Sequence, residues 1–309
     1  MNKVLVTGVD GFVGKHLAKE LFANGYIVDG VGISDIGASN KIKELNSYML
    51  INLMKRSALK KIDFNAYNFI IHLAGLAAVG PSFEEPLHYI TTNVGIEINL
   101  YEEVRSQNAK PKFLIISSGS IYDHSSDLPI SESSELLPGS PYAVSKISQE
   151  QMAHYYSQLG FVTILARPFN HIGPGQNLGF IVPDITKQVV DIEKGERSTV
   201  LTGNLNAKRD YTDVRDIVRA YRLLIERGLP GETYNICSSI PTSGEVILNK
   251  IISLSDKKIS YENDPVKSRP SDYPIIYGSY EKIKKDTGWM PEISLDKTLL
   301  DVLTDWRNR

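Results

Sequence analysis

The chain opens with an apolar run, Val4-Leu5-Val6 between Lys3 and Thr7, closed by Gly8; Phe12 to Phe22 then carries apolar residues at helical spacing, and Ile27 to Val31 returns to a strand. Short apolar runs bounded by glycine predict buried strands, and the 3.6-residue period predicts a helix between them. The same rhythm continues. Apolar runs predict strands at Tyr48 to Leu53, Asn68 to Leu73, Lys112 to Ser117 and Phe161 to Arg167, with helices over Pro86 to Ser106 and Pro141 to Leu159. Strands that are apolar throughout, rather than at every second position, are buried on both faces, so the pattern predicts an α/β fold: a doubly wound parallel sheet with helices on either side. Ligands of such a sheet gather at the carboxyl ends of its strands.

After Pro168 the rhythm changes. Gly and Pro cluster from Gly173 to Gly179, and the predicted elements become shorter and less regular. We therefore expect a first domain over residues 1–168 and a smaller C-terminal α/β domain over 169–309. The amphipathic stretch Val214 to Arg227 should pack back on the first domain, so that the two are interleaved. A length of 309 residues accommodates both.

Composition narrows the function classes. The 42% hydrophobic and 23% charged content and a net charge of -2 describe an ordinary globular chain with no basic excess, so nucleic acid is not an expected partner. No apolar run approaches the roughly 18 residues that span a bilayer, and no membrane association is expected. Cys237 is the sole cysteine and cannot form an internal disulfide, and Met1 to Gly8 reads as a strand rather than a signal peptide. Both point to the cytoplasm. The six histidines show no ligand-like spacing, so no metal site is expected.

Two stretches carry chemistry. Between the first strand and first helix stands Thr7-Gly8-Val9-Asp10-Gly11-Phe12-Val13-Gly14, a G-x-x-G-x-x-G spacing. Glycines here allow a tight turn and close approach of backbone to a pyrophosphate at a helix N-terminus, the Rossmann way of binding a dinucleotide. Cofactor choice stays open between NAD and NADP. An acid at the tip of the second strand would hold a ribose 2′-hydroxyl, whereas an arginine would hold a 2′-phosphate. The tip reads Val31-Gly32-Ile33-Ser34-Asp35, with Asp35 late and no arginine near, which tilts the choice towards NADP. Asn52, at the end of the third strand, could reach the adenine or simply face solvent in a turn.

The second stretch is Ser140-Pro141-Tyr142-Ala143-Val144-Ser145-Lys146. Ser140 is a natural N-cap and Pro141 a natural first helical residue, which puts Tyr142 and Lys146 on one helix face. An ammonium beside a phenol near a helix N-terminus favours the phenolate and brings acid/base chemistry towards neutral pH. The spacing recurs at Tyr280 and Lys284, in a charged segment where no chemistry is expected. Only the first copy follows the serine-rich strand end Ser117-Ser118-Gly119-Ser120-Ile121-Tyr122, where a hydroxyl can bind the substrate oxygen that Tyr142 protonates or deprotonates. Ser118 is the choice, with Ser117 and Ser120 as competitors.

With these marks the chain resembles the extended short-chain dehydrogenase/reductases over essentially its whole length, adding His72-Leu73-Ala74-Gly75 and Asn93 to the set. Arg167-Pro168-Phe169-Asn170-His171-Ile172-Gly173-Pro174-Gly175-Gln176 and Arg209-Asp210-Tyr211-Thr212-Asp213-Val214-Arg215-Asp216-Ile217-Val218-Arg219-Ala220-Tyr221 look more narrowly like the GDP-4-keto-6-deoxy-D-mannose reductases. The resemblance implies NADP or NAD held by Gly8, Gly11, Phe12, Val13, Asn52, Leu53, Leu73, Ala74, Gly75, Asn93, Tyr142 and Lys146. It implies catalysis by Ser118, Tyr142 and Lys146, and a nucleotide-diphosphate sugar held by Ser118, Asn170, Arg209 and Arg269 in a homodimeric enzyme. A guanidinium fork suits the diphosphate, although Arg209 could instead pair Asp210 or Asp213. Asn170 could brace its loop, Arg269 could play a structural part in its Pro-flanked loop, and His171 is expected to be loop packing.

The implied reaction is hydride delivery from NAD(P)H to the C4 ketone of a nucleotide-4-keto-6-deoxyhexose, GDP-4-keto-6-deoxy-D-mannose giving GDP-D-rhamnose. A 4,6-dehydratase needs further acid/base groups after the serine, where this chain has Gly119 and Ser120, though some related reductases carry acids there. A 4-epimerase with retained NAD needs none and is the alternative. A non-catalytic dinucleotide sensor could dispense with Tyr142 and Lys146, and a turnover assay on 4-ketosugars separates it.

Overall fold

The computed structural model describes residues 1–35, 42–125, 127–264 and 273–309. β1 (Lys3–Thr7) leads through the glycine turn into α1 (Phe12–Ala23), then come β2 (Ile27–Gly32), β3 (Ser47–Leu50), a one-turn α2 (Arg56–Leu59), β4 (Phe69–His72) and another single turn, α3 (Val79–Ser82). α4 (Pro86–Ser106), β5 (Lys112–Ile116), α5 (Pro141–Gln158) and β6 (Thr163–Pro168) follow. The remainder runs β7 (Asn170–Ile172), α6 (Ile181–Glu193), β8 (Thr199–Thr202), β9 (Lys208–Asp213), α7 (Val214–Arg227), β10 (Thr233–Ile236), β11 (Pro241–Ser243) and α8 (Gly244–Ser253). β12 (Ser260–Asn263), β13 (Ile275–Ile276), α9 (Glu281–Thr287) and α10 (Leu295–Arg307) complete it.

Seven parallel strands form the main sheet in the order β10-β6-β5-β4-β1-β2-β3, with Thr7 opposite His72 where β1 meets β4. The order reverses between β1 and β4, so a crevice opens there at the carboxyl ends. The expected doubly wound sheet is present. One core lies on the α1 side, where Leu17, Ala18 and Leu21 meet Ile217, Val218, Tyr221 and Leu224 of α7. Another lies under α4 and α5, where Tyr101 stacks on Tyr156 and Phe113. Full burial of each such side chain contributes about 1.5–3 kcal/mol, so the sheet and its two helix layers set a rigid floor for the crevice.

The third strand ends at Leu50, short of the expected Leu53, because Asn52 folds its carboxamide back to accept from the Met54 amide at 2.9 Å. The sixth begins at Thr163 because Gly160, at φ +91°, turns the chain out of α5 and the Phe161 amide is taken up by the Tyr156 carbonyl at 3.2 Å.

α7, β10 and α9 come from beyond residue 168, yet Tyr234, Ile236, Ile283 and Trp289 lie in the α1-side core. α6, α8 and α10 close on a separate core of Val182, Ile185, Val189, Ile247, Ile251, Leu299 and Val302. Beside it lies a small mixed sheet: β9 pairs with β7 and β13 in parallel and with β11 antiparallel. β9 carries Arg209 and Tyr211, with Asn170 of β7 in register with Tyr211. No helix of the described residues is long and apolar enough to cross a membrane, and none of their His, Cys, Asp and Glu side chains group as a metal would need.

Candidate active site

The glycine turn is built by close approach. Gly8 sits at φ +72°, and a Cβ there would stand 2.8 Å from the Ala74 amide nitrogen, so the turn after β1 lies directly on the loop after β4. A Cβ on Gly14 would collide with the Gly8 carbonyl and Val9. Thr7 fastens the two loops: its hydroxyl pairs with His72 Nδ1 at 2.8 Å and accepts from the Ala74 amide at 3.3 Å. Burial holds the His72 imidazole neutral, pushing it down to about 3, with the Lys146 charge acting in the same direction. α1 begins at Phe12 with Gly11 as its N-cap and no side chain over the first amides. An uncapped helix N-terminus against a glycine cradle fits a dinucleotide's pyrophosphate.

Around that cradle the expected cofactor residues divide. Gly8, Gly11, Phe12 and Val13 form the turn and the start of α1, and Leu73, Ala74 and Gly75 form the facing loop. Phe12 lays its ring parallel to His171 at 6.2 Å, so His171 closes the turn's outer side, and its Nδ1 bonds the Phe169 carbonyl at 3.1 Å. Asn93 is fully buried. Its Oδ1 accepts from the Leu76 amide at 2.8 Å, and its Nδ2 donates to the Leu76 carbonyl at 3.2 Å and to Ser145 Oγ at 2.9 Å. It holds the β4 loop to α5 and reaches the cradle through that loop. Asn52 is exposed and occupied by its own turn, while Leu53 is buried beneath it.

Tyr142 and Lys146 stand on the first turns of α5 for the expected reasons: Ser140 Oγ accepts from the Ala143 amide at 3.1 Å and Pro141 occupies the first turn. Both side chains are buried, each 7% exposed. The electrostatics differ from the expectation. Burial raises the Tyr142 phenol, opposed by its hydrogen bond with Ser118, so the phenol is held protonated rather than tipped towards phenolate. Lys146 turns its ammonium to the Ile116 carbonyl at 2.8 Å, at the end of β5, and burial pushes it down to about 8 against the pull of Glu97 and Glu150. Burial is the largest cause of the shift in both groups.

Ser118 follows β5 directly. Its hydroxyl accepts from the Ser120 amide at 3.1 Å and lies 2.9 Å from Ser120 Oγ, so two hydroxyls share the strand tip beside the phenol. Ser117 is buried behind them with its hydroxyl unpartnered. Gly119 has no room for a side chain: a Cβ would stand 2.8 Å from the Phe169 ring.

On β9 Arg209 is partly exposed and donates to the Lys208 and Tyr273 carbonyls at 2.9 Å each. Asp210 is buried and taken up by Ser238, Ser239 and Gly278, and Asp213 by Arg215 and Thr298. Asn170 is exposed at the start of β7. Arg269 lies outside the described residues.

Three residues beyond the expected set make contacts next to these residues. Asp10, inside the glycine turn, accepts from the Ile33 and Ser34 amides at 3.2 and 2.9 Å, next to Tyr48, whose hydroxyl donates to the Ser34 carbonyl at 2.6 Å. His124 lies edge-on to Tyr273 with rings 5.2 Å apart, its Nε2 buried and unpartnered, and burial with the Arg209 charge lowers its pKa. No sequence signal marks His124. Asp10 could have been suspected because Gly32 stands where an acid was sought.

Residues 5–302 match the family model described as GDP-mannose 4,6 dehydratase. The GDP-6-deoxy-D-mannose reductase of Pseudomonas aeruginosa is 30% identical over 311 residues, spanning 99% of this chain and 98% of its own. The structure of RMD from Pseudomonas aeruginosa complexed with NADPH has a TM-score of 0.87 at 28% identity, over 100% of both chains. UDP-glucose 4-epimerase of Thermotoga maritima with UDP-glucose has a TM-score of 0.85 at 28% identity, over 99% of each chain.

Proposed function

This chain belongs to the GDP-mannose 4,6 dehydratase family of nucleotide-sugar-modifying short-chain dehydrogenase/reductases, and from that premise we propose that it reduces the C4 ketone of a nucleotide-4-keto-6-deoxyhexose with NAD(P)H. GDP-4-keto-6-deoxy-D-mannose going to GDP-D-rhamnose is the preferred substrate pair, supported by the likeness to the Pseudomonas aeruginosa reductase. The observation that carries this reading is the buried, protonated Tyr142 beside Ser118 and Ser120, with no carboxylate at positions 119 and 120.

When bound along the Gly8 to Gly14 turn, the nicotinamide cofactor supplies hydride to carbon 4. The chain supplies the rest. Ser118 holds the ketone oxygen, and Tyr142 gives its phenolic proton to that oxygen as the alcohol forms. Lys146 keeps a positive charge behind the phenol while it is deprotonated. Arg209, with Asn170 on the neighbouring strand, offers the diphosphate a guanidinium and an amide, and Arg269 is proposed for the same role. A dehydratase would need an added acid/base carboxyl beside Ser118, and the Phe169 ring fills the space over Gly119.

A second reading, 4-epimerisation with retained NAD, draws on the likeness to the Thermotoga maritima epimerase. Stoichiometry separates the two. With a 4-keto-6-deoxy nucleotide sugar, the reductase oxidises one NAD(P)H per product and stops when reduced cofactor is withheld. Interconversion of two C4 epimers with no added cofactor and no change in NADH absorbance would overturn the reductase reading.

A further inference from the structure

The tip of β2 is where a doubly wound fold reads the 2′-position of the cofactor's adenosine ribose. In this chain the strand ends in Gly32, with no side chain to read anything. There is also no room for one: a Cβ on Gly32 would lie 2.5 Å from both Cγ and Oδ1 of Asp10 and 2.5 Å from the Tyr48 hydroxyl oxygen. The Asp10 carboxylate occupies that place instead. It comes from the glycine turn, crosses to the next strand and takes both the Ile33 and Ser34 amides on Oδ2.

Three consequences follow for a ligand. The two backbone amides at the strand tip, which would be natural donors to a 2′-phosphate, are already satisfied by a fixed carboxylate. Oδ1 accepts neither of those amides and can accept from a ribose hydroxyl. Among the described residues of the tip the charge is acidic: Tyr48 is pushed up to about 12 by burial, then by the carboxylates of Asp10 and Asp35. A dianionic phosphate brought here meets like charge with its amide donors consumed, whereas a hydroxyl meets an acceptor.

We propose that Asp10 selects the adenosine ribose of the cofactor, accepting from its 2′-hydroxyl and excluding a 2′-phosphate, so that this chain uses NAD(H) in preference to NADP(H). This replaces the tilt towards NADP drawn from the strand tip alone. It rests on the reading that the Gly8 to Gly14 turn holds a nicotinamide dinucleotide.

The test is direct binding to the full chain, followed by quenching of its tryptophan fluorescence. The wild type should bind NADH at least about tenfold more tightly than NADPH. Asp10→Asn, which keeps an oxygen for the two amides and removes the charge, should shrink that ratio by about tenfold, mainly by tightening NADPH. A measurement on the wild type alone guards against a variant that fails to fold: 5′-AMP should displace NADH, and adenosine 2′,5′-bisphosphate should be at least about tenfold weaker. Equal binding of NADH and NADPH by the wild type, or an Asp10→Asn variant with an unchanged melting temperature and an unchanged ratio, overturns the role of Asp10 and leaves the dinucleotide site standing. Failure of both dinucleotides and of 5′-AMP to bind overturns the site itself, and the inference with it.

Discussion

The ammonium of Lys146 lies 5.9 Å from the centroid of the Tyr142 ring, and the ammonium of Lys284 lies 5.8 Å from that of Tyr280. Equal spacing has given equal geometry, and only the environments differ. Lys146 is buried and bound to the end of β5, whereas Lys284 is about half exposed and lies 3.8 Å from Glu281, and Tyr280 packs edge-on to Trp289. A positioned acid contributes roughly 10²-fold or more, so Tyr142→Phe should lower turnover on that scale while leaving cofactor binding intact. Tyr280→Phe should leave turnover unchanged. Equal losses in the two variants, read by steady-state kinetics, would remove Tyr142 from the mechanism.

His72 couples the cradle to pH. Its imidazole is neutral and fully buried, with a folded pKa of about 3 against 6.5 when exposed. Below pH 6.5 the unfolded chain binds a proton that the folded chain refuses until about pH 3. Stability attached to this group is therefore complete above 6.5 and is lost as pH falls through that window. Between pH 7 and pH 5 the loss should be about 2 kcal/mol. His72→Asn, which keeps a partner for Thr7, should lose correspondingly less over the same interval in urea unfolding. Parallel losses would show that His72 is not the titrating group.

Arg167 and Glu150 form a buried two-point pair, Nε to Oε1 at 2.8 Å and Nη2 to Oε2 at 2.6 Å, linking β6 to α5. Arg167 also donates to the Tyr122 hydroxyl at 2.8 Å, which in turn donates to Asn235 at 2.7 Å, and this chain of bonds fixes the loop that carries Ser118. Glu150→Ala strands a buried guanidinium and should cost about 3–5 kcal/mol in chemical denaturation. Replacing both partners, Glu150→Leu with Arg167→Met, should cost less than the single change, because no charge is left unpaired. A double variant less stable than Glu150→Ala would show that the pair stabilises the fold beyond mutual neutralisation.

The main sheet was legible because buried parallel strands carry runs of consecutive apolar residues, and β1, β4 and β5 each contain one, Val4 to Val6, Phe69 to Ile71 and Phe113 to Ile116. β10 is not. Its Thr-Tyr-Asn-Ile sequence includes Asn235, which is fully buried and bonded to the Ile130 carbonyl, Tyr122 and Glu132, so its burial depends on partners a hundred residues away. β9 hides for a similar reason, since Lys208, Arg209, Asp210 and Asp213 give it the composition of a loop. In the site, the Tyr142 and Lys146 pairing could be read because one helix turn fixes it. The protonated state of the phenol could not, because desolvation depends on what covers it. The Asp10 carboxylate at the Gly32 tip is a contact from the glycine turn to the residues after β2, some twenty residues along the chain, which only the folded turn brings together.

Arg209 offers the last test, because two readouts separate binding from structure. Its guanidinium donates to the Lys208 and Tyr273 carbonyls, and the His124 imidazole feels its charge. If it grips the diphosphate, Arg209→Ala should weaken sugar-nucleotide binding by about 1.5–3 kcal/mol, the range for charge-assisted hydrogen bonds, with dinucleotide affinity unchanged in calorimetry. Removing the positive charge should also raise the His124 pKa, since that charge now disfavours the imidazolium. An NMR titration of the His124 ring reads that shift without substrate. A raised His124 pKa with unchanged sugar-nucleotide affinity would leave Arg209 as a structural neighbour of His124 and remove it from the substrate site.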